Sequence, residues 1–346
     1  MKCKDWRYKI TIIMRPVIGR LSKSKLVRRG VGRPYVVLSK WIWRHLPGSV
    51  TSSHFGLLYG RHCQGLVRLQ DSRQMSIGTF FLRNRPELEC LRQLVDQRPR
   101  GSSVSLTVLA CSKGAEVYSL SFMIRSARPD LNVAIQALDI AQDVLEFAQG
   151  GVYSLQDLGS RKWPDRSLIA EKGELAWNTW RGQDTSIFER MTADEMGALF
   201  DREGDQVTVK RRFSDGITWR IGNATDPQLV NLLGPQDIVM AKNFLCHMSP
   251  ADAEECLRII PRLIKPGGYL CVSGVDLGVR TRVAVELGWK PVTLLLREIH
   301  DGDPSLRLVW PWNYCGLEPF DASRADWKVR YASVFQVGEA AKWNHR

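Results

Sequence analysis

Between residues 104 and 151, two apolar, β-branched runs alternate with two segments of helical spacing. Val104–Cys111 and Asn132–Ile140 are typical of strands, while Ala115–Ala127 and Ala141–Gly151 repeat apolar residues every three to four positions. The glycines that close the second helical segment are expected to end it. Two strand–helix units in succession predict a parallel sheet with right-handed crossovers.

The same rhythm returns near residue 237. A strand in "DIVMAKNF" precedes a helix that Ser249 is expected to cap, the turn "KPGG" and a strand in "GYLCVSG". Arg330–Val337 adds one more strand. The consistent solution is an α/β fold with a doubly wound, mostly parallel, Rossmann-like sheet. Ligands of such sheets lie at the carboxyl ends of the strands.

The segment from about 152 to 221 interrupts this rhythm, and we interpret it as an insertion. Met191–Phe200 is predicted to be a short helix in which Thr192 and Glu195 form a capping box. "QVTVKRRF" and "ITWRI" alternate polar and apolar residues on either side of Ser214–Gly216, which predicts a β-hairpin. The predicted domain therefore carries an inserted β-hairpin subdomain.

Basic residues are concentrated before the predicted sheet. Residues 1–46 hold thirteen Lys/Arg against one acid, Asp5, a net charge of +12, so the rest of the chain carries about +1 of the total +13. The linker Gln97–Ser103 separates a basic, mainly helical N-terminal region (residues 1–96) from the sheet domain (residues 97–346). Such a region favours nucleic acid, anionic lipid or an acidic protein surface as partner, or it only keeps the chain soluble.

Neither a secreted nor a membrane-spanning protein is expected. Lys9–Leu21 resembles a signal sequence, but Arg15 and Arg20 interrupt it, no small-residue cleavage site follows and no run approaches about 18 apolar residues. A peripheral membrane contact remains open. The eight cysteines include no CxxC pair, which favours a reduced, cytoplasmic protein without disulfides or a metal site.

The turn after the first strand, "ACSKGAE" (Ala110–Glu116), lies where doubly wound folds bind nucleotides. It has one glycine instead of G-x-G-x-x-G, so a pyrophosphate is not favoured, and Glu116 suits a cation better than a phosphate. Asp139, at the end of the second strand, is placed to accept both hydroxyls of a ribose. A ligand with a ribose and an ammonium group but without a phosphate matches S-adenosylmethionine. The alternative is that acids at these positions only cap helices.

These residues belong to a series of motifs that resembles the chemotaxis-receptor glutamate methyltransferases of the CheR type. "ACSKGAEVYSL" and "LDIAQDVLEFAQGGVYSL" are similar to that family's A-C-S-x-G-E-E-x-Y-S and D-I-D-x-x-x-L-x-x-A-x-x-G-x-Y. "GTFFLRNRPELECL", "MTADEMGALF", "DIVMAKNFLCHMSP" and "LIKPGGYLCVSG" resemble its other motifs in the same order, over about Gly78 to Gly274. The resemblance implies a class I methyltransferase sheet, S-adenosylmethionine as donor and an acceptor carboxylate such as a protein glutamate.

Carried over position by position, the resemblance implies roles for individual residues. Glu116 would contact the methionine portion of the donor, and Asp139 would bind the ribose hydroxyls. Asn223 and Ala224 would edge the adenine. The full set expected at the donor is Thr79, Arg83, Ala110, Gly114, Glu116, Asp139, Ile140, Asn223, Ala224 and Asn243, and the residues expected near the reacting centre are Arg83 and His247.

The acceptor side departs from the family pattern. Ala115, Lys242 and His247 stand where the family has an acid, an arginine and a tyrosine, so the resemblance covers the donor side better than the acceptor side. An ionised acceptor carboxylate needs no general base, whereas a neutral acceptor would need one. His247 is the candidate for that base, and the alternative is that it is only a packed or capping residue. Arg83 either neutralises an acceptor carboxylate or ties the N-terminal region to the sheet.

Two rival functions stay open from the sequence. One is a methyltransferase for a small molecule or for RNA, in which the basic N-terminal region would bind phosphates. This region contains no recognisable RNA-reading motif. The other is a catalytically silent scaffold that still binds the donor. The aromatic run Leu308–Phe320 is expected to pack over the sheet, with an acceptor pocket as the alternative. An acidic protein surface or a small carboxylate is favoured as acceptor over nucleic acid.

Overall fold

A computed structural model describes residues 33–70, 73, 76–157, 159 and 185–338. The contacts of the chain divide it into two compact units: residues 1–72 with 306–319, and residues 73–305 with 320–346. The signal-like segment Lys9–Leu21 lies outside the described residues. In the part that is described, no helix is long and apolar enough to cross a membrane.

The secondary structure alternates as the sequence predicts over most of the larger unit. The described helices are α1 Arg33–His45, α2 Gly48–Thr51, α3 His54–Gln70, α4 Arg85–Asp96, α5 Ala115–Ala127, α6 Gln142–Gly150, α7 Ala193–Leu199, α8 Arg211–Ser214, α9 Leu229–Leu233, α10 Pro250–Ile259, α11 Leu277–Glu286, α12 Leu296–Asp301, α13 Pro304–Arg307 and α14 Trp327–Tyr331. The described strands are β1 Ser103–Leu109, β2 Asn132–Asp139, β3 Val152–Ser154, β4 Phe200–Glu203, β5 Gln206–Val209, β6 Ile217–Ile221, β7 Gln236–Lys242, β8 Ile264–Ser273, β9 Lys290–Pro291 and β10 Val334–Gln336.

Seven strands of the larger unit form one sheet in the order β6-β2-β1-β7-β8-β10-β9. The pairs from β6 through β8 are parallel, and β10 is antiparallel to both of its neighbours. The sheet is therefore doubly wound, and its strand order reverses between β1 and β7. This confirms the predicted α/β, mostly parallel, Rossmann-like fold.

Local sequence explains where the elements of this sheet begin and end. β7 is buried along its whole length, as expected for a central parallel strand. α5 begins after Gly114 (φ 81°) and α6 ends at Gly151 (φ 62°), both in the left-handed region that glycine adopts readily. Ser249 caps α10 by accepting from the Asp252 N–H, as predicted.

The predicted hairpin around Ser214–Gly216 is wrong. β6 pairs in parallel with β2 at the edge of the main sheet, and α8 occupies the segment between β5 and β6. The hairpin of the insertion is β4–β5, with Gly204 at its turn and β3 as the third strand of a separate antiparallel sheet. Thr192 and Glu195 form the predicted capping box of α7. Alternation identifies strands but not their partners, which explains the error.

The predicted domain boundary between residues 96 and 97 lies inside the larger unit. α4 packs on α5, and its Leu88, Cys90 and Leu91 are buried in the same apolar core as the residues of β1. The larger unit begins at Arg73 instead. Residues 97–102 of the predicted linker are thus the loop between α4 and β1, because proline and glycine mark any loop and not only a linker between domains.

The smaller unit combines α1–α3 with an aromatic segment that is distant in sequence. Trp43 of α1 lies edge-on to Trp310 and Trp312, with ring centroids at 5.5 and 6.2 Å. Arg61 Nε donates to Glu318 Oε2 at 3.1 Å. The aromatic run that was expected to pack over the sheet therefore belongs, up to Pro319, to the unit of the N-terminal helices.

Candidate active site

A cavity of about 350 Å³ opens at the carboxyl ends of β1, β2 and β7. The strand order reverses at this point, which is where doubly wound sheets bind their ligands. Ten of the eleven residues that the sequence predicts for the site line this cavity: Thr79, Arg83, Ala110, Glu116, Asp139, Ile140, Asn223, Ala224, Asn243 and His247.

Gly114 is the predicted residue that is not part of the described cavity wall. Its φ of 81° disfavours any residue with a Cβ. An added Cβ would also lie 3.1 Å from Ala148 Cβ and 3.2 Å from the rings of Trp219 and Tyr118. Gly114 therefore sets the position of α5, which carries Glu116 to the cavity.

Asp139 is buried at the end of β2 with both carboxylate oxygens on backbone donors. Oδ2 accepts from the Ser112 N–H at 2.7 Å, and Oδ1 accepts from the Ala141 N–H at 3.0 Å. Burial raises the pKa of Asp139, and the backbone donors offset part of that rise. Ile140, the next residue, is 54% exposed and lines the cavity. The end of β2 thus offers a carboxylate and an apolar surface next to each other.

Lys242, Glu87 and Glu116 form a buried ion cluster at the cavity. Lys242 Nζ lies 2.6 Å from Glu87 Oε2 and 3.1 Å from Glu116 Oε1. Burial lowers the pKa of Lys242, but Glu116 and Glu87 together outweigh burial and leave that pKa raised. One ammonium between two carboxylates leaves the cluster with a negative charge, and Glu116 presents it at the cavity wall.

Glu87 is a residue that the sequence did not identify. The family pattern has an acid where this chain has Ala115, and the second carboxylate on Lys242 comes from α4 instead. Ser333 Oγ also donates to Glu87 Oε1 at 2.8 Å. An acid in the first turn of a helix is ordinary because it favours the helix dipole, so the sequence carried no specific signal for this role.

Arg83 forms an ion pair with Asp303, an acid in the loop after α12. Its Nε donates to Asp303 Oδ2 at 2.8 Å, and its Nη2 donates to Ser305 Oγ at 3.3 Å. Arg190 Nη1 lies 3.2 Å from Asp303 Oδ1. Burial lowers the pKa of Arg83, but Asp303 and then Glu116 outweigh burial and leave it raised. Two guanidinium groups on one carboxylate leave this group of side chains with a positive charge, and Arg83 presents it at the cavity wall.

Three non-glycine residues of the cavity wall adopt left-handed backbone conformations: Ala110 (φ 53°), Ser112 (φ 50°) and Asn243 (φ 59°). Such conformations cost about 1–3 kcal/mol each and cluster at binding sites. Among the described residues, Asn243 Oδ1 is buried without a hydrogen-bond partner. A buried amide oxygen that lacks a donor indicates a ligand group that would supply one.

Asn223 and Ala224 line the cavity just after β6. Asn223 Oδ1 accepts from the Thr225 N–H at 3.0 Å and from Thr225 Oγ1 at 2.9 Å. These bonds fix the orientation of the amide, so its Nδ2 group is the one that can donate to a ligand.

The segment before α4 and the turn after β7 complete the cavity wall. Ser112 Oγ donates to Ile77 O at 2.7 Å, and the Thr79 N–H donates to Gly159 O at 3.1 Å. Arg73 Nη1 donates to Cys246 O at 3.3 Å. His247, half-buried, lines the cavity from the turn after β7. The structure thereby places His247 and Arg83, predicted for the acceptor side, in one cavity.

Residues 78–170 match the family model described as CheR methyltransferase, SAM binding domain. This stretch therefore resembles the donor-binding domain of CheR-type methyltransferases. The chain is 25% identical over 217 residues to the probable biofilm formation methyltransferase WspC of Pseudomonas putida, which covers 62% of this chain and 42% of that protein. It is 26% identical over 173 residues to chemotaxis protein methyltransferase 1 of Vibrio cholerae, with 48% and 52% covered.

The chain thus spans about half the length of the curated relatives it matches. Among solved structures, an O-methyltransferase family protein from Burkholderia thailandensis aligns with a TM-score of 0.30 and 14% identity, over 70% of this chain and 53% of that one. The predicted resemblance to CheR-type methyltransferases is confirmed over residues 78–170, and the family model that matches there describes a domain that binds S-adenosylmethionine, the predicted donor.

Proposed function

We propose that this CheR-type chain moves a methyl group from S-adenosylmethionine to a carboxylate, a glutamate side chain of a protein, in the cytoplasm. The observation that carries the proposal is the distribution of charge along one cavity. Glu116, beside Lys242, presents a carboxylate, and Arg83, held by Asp303, presents a guanidinium. The first suits a cationic donor, and the second suits an anionic acceptor.

The cavity residues fit the chemical parts of this donor. S-adenosylmethionine supplies a methyl group on a sulfonium, and it also carries an ammonium group, a ribose diol and an adenine. Glu116 matches the cationic part, while the Asp139 carboxylate can accept from the diol. The exposed apolar surface of Ile140 and the amide of Asn223 suit the adenine. Asn243 Oδ1 offers one more acceptor.

On the acceptor side, Arg83 would orient the carboxylate for in-line attack. Its described hydrogen bonds use Nε and Nη2, so Nη1 can donate to an acceptor oxygen. Asp303 and Ser305 hold the guanidinium in place, which makes the contact a positioned one. Because an ionised carboxylate is already nucleophilic, His247 would shape the cavity and would not act as a base.

Donor binding tests the first half of the proposal. We expect Asp139→Ala to weaken binding of S-adenosylmethionine and of its demethylated product about hundredfold in calorimetric titrations, because hydrogen bonds to a buried charge are lost. Asp143→Ala, which changes an exposed acid in the first turn of α6, is the matched control and should leave the affinity unchanged.

The pH dependence follows from the raised pKa of Asp139. Protonation removes the acceptor capacity of the carboxylate, so donor affinity should fall on acidification at a pH above the ordinary range of an aspartate. The stability of the folded protein depends on pH in the opposite direction. The raised pKa of Asp139 favours the folded state when Asp139 is protonated, and that contribution to stability is lost as pH rises through the folded pKa.

No donor binding by the wild type would refute the methyltransferase proposal.

The chemistry of the product tests the second half. Methyl esters of carboxylates release methanol in alkali, whereas methylated amines and phenols do not. We expect radiolabelled methyl groups, transferred from the donor to acidic proteins, to be released by alkali, and Arg83→Leu to lower kcat/KM at saturating donor. Alkali-stable label would assign a different acceptor, and donor binding without any transfer would identify a scaffold.

A further inference from the structure

The first seventy residues carry basic charge almost without acids. Residues 1–70 contain fifteen Lys/Arg and one acid, Asp5, so residues 6–70 contain none. The described part of this region, α1 to α3, therefore exposes basic, neutral polar and apolar side chains only. A surface of this composition complements an anionic partner.

α1 turns an apolar stripe to the solvent. The side chains on this stripe are 36–59% exposed: Tyr35, Val37, Leu38, Trp41 and Ile42. They follow the spacing i, i+3, i+4 and i+7, which places them on one side of a helix. Ser39 is buried and Trp43 packs on Trp310, so the other side faces the unit's own interior.

Basic groups lie along one edge of this stripe. At 100° per residue, Lys40 and Arg44 fall on the same side of α1, next to Val37 and Trp41. Burial and then Arg44 lower the pKa of Lys40, which shows that the two cations lie close to each other. α3 exposes further large apolar side chains, among them Phe55 at 75% and Leu58 at 49%.

We propose that this face of α1 binds an anionic lipid surface, with the helix lying in the plane of the interface. An exposed apolar stripe flanked by cations is the composition of interfacial helices, and tryptophan and tyrosine favour the lipid headgroup region. A second copy of the chain, or its own residues 1–32, would bring further positive charge to a positive face. Both are disfavoured as occupants for that reason.

Co-sedimentation of the full chain with vesicles tests the proposal. The vesicles consist of phosphatidylcholine alone, or of phosphatidylcholine and phosphatidylglycerol in equal parts. We expect the wild type to bind the mixed vesicles and not the neutral ones, and to be released by high salt. The double substitution Leu38→Ser with Trp41→Ser should lower the partition coefficient at least about tenfold.

Matched variants separate this face from general surface effects. Val285→Ser changes an equally exposed apolar residue of α11 and should bind as the wild type does. Arg44→Glu should weaken binding, while Arg211→Glu, at an exposed arginine of α8, should not. Circular dichroism of each variant confirms that it is folded.

Four outcomes would overturn the proposal. The wild type could stay in the supernatant with both kinds of vesicle, or the α1 variants could sediment like their controls. A dimer in light scattering that Trp41→Ser converts to a monomer would assign the face to a second copy. Binding to an acidic protein but to neither vesicle would assign it to a protein partner.

Discussion

Lys242 forms ion pairs with two buried carboxylates, Glu87 and Glu116, that belong to different helices. Lys242→Met would leave both without a cation, and breaking a buried pair in this way costs about 3–5 kcal/mol of unfolding free energy. Urea denaturation should therefore show a large loss for this variant. Lys210→Met is the control, because the half-buried Lys210 pairs with the exposed acid Asp201, at 3.9 Å, and its loss should change stability by about 0–1 kcal/mol.

A second substitution decides whether the ion cluster is the cause. Glu87→Gln in the Lys242→Met background removes one of the stranded charges, so it should recover part of the lost stability, and the two effects should not add. Lys242→Arg keeps the cation and should retain most of the stability. A Lys242→Met variant as stable as Lys210→Met would contradict the assignment of the cluster as a structural support of Glu116.

At the scale of elements, the sequence predicted α5 with its observed bounds and β1 and β2 within two residues. Their apolar periods are strong because these elements are buried on the sheet. Site residues at the ends of these strands, such as Asp139, could be predicted because the strand ends themselves could be predicted. Glu87 and Asp303 did not, because only tertiary packing brings α4 and the loop after α12 to the cavity wall.

The conformation at the start of α5 depends on one residue, Gly114. Gly114→Ala forces a side chain into a left-handed conformation and against Ala148 Cβ at 3.1 Å. We expect it to cost at least about 1–2 kcal/mol of unfolding free energy and to weaken donor binding, because α5 carries Glu116. Gly150→Ala, at the end of α6 with open space around it, should be neutral or stabilising by up to about 1 kcal/mol. Equal effects of the two substitutions would rule this argument out.

At the scale of the whole molecule, the units are not consecutive in sequence. Residues 306–319 leave the larger unit and pack with α1–α3, and the larger unit begins at Arg73. Composition could not show this, because a Pro- and Trp-rich run is apolar enough to pack on any core. The same holds for Gln97–Ser103, whose composition marks a loop and says nothing about which helices share a core.

Truncation tests this division. A chain of residues 97–346 lacks α4, with Leu88 and Leu91 of the core, and also lacks Arg83 of the cavity wall. We expect it to misfold and to bind no donor. A chain of residues 73–346 keeps the larger unit and should bind S-adenosylmethionine within a few-fold of the full chain, as measured by calorimetry.

The chain of residues 73–346 should also aggregate, because it lacks α1, and Trp310 and Trp312 lose their contact with Trp43 of that helix. Replacing both tryptophans by serine in that chain should restore a monodisperse protein in light scattering without changing donor affinity. Donor binding by residues 97–346 would show that α4 is dispensable for the cavity. Loss of donor binding in residues 73–346, with the sheet still folded, would show that the donor site needs the smaller unit.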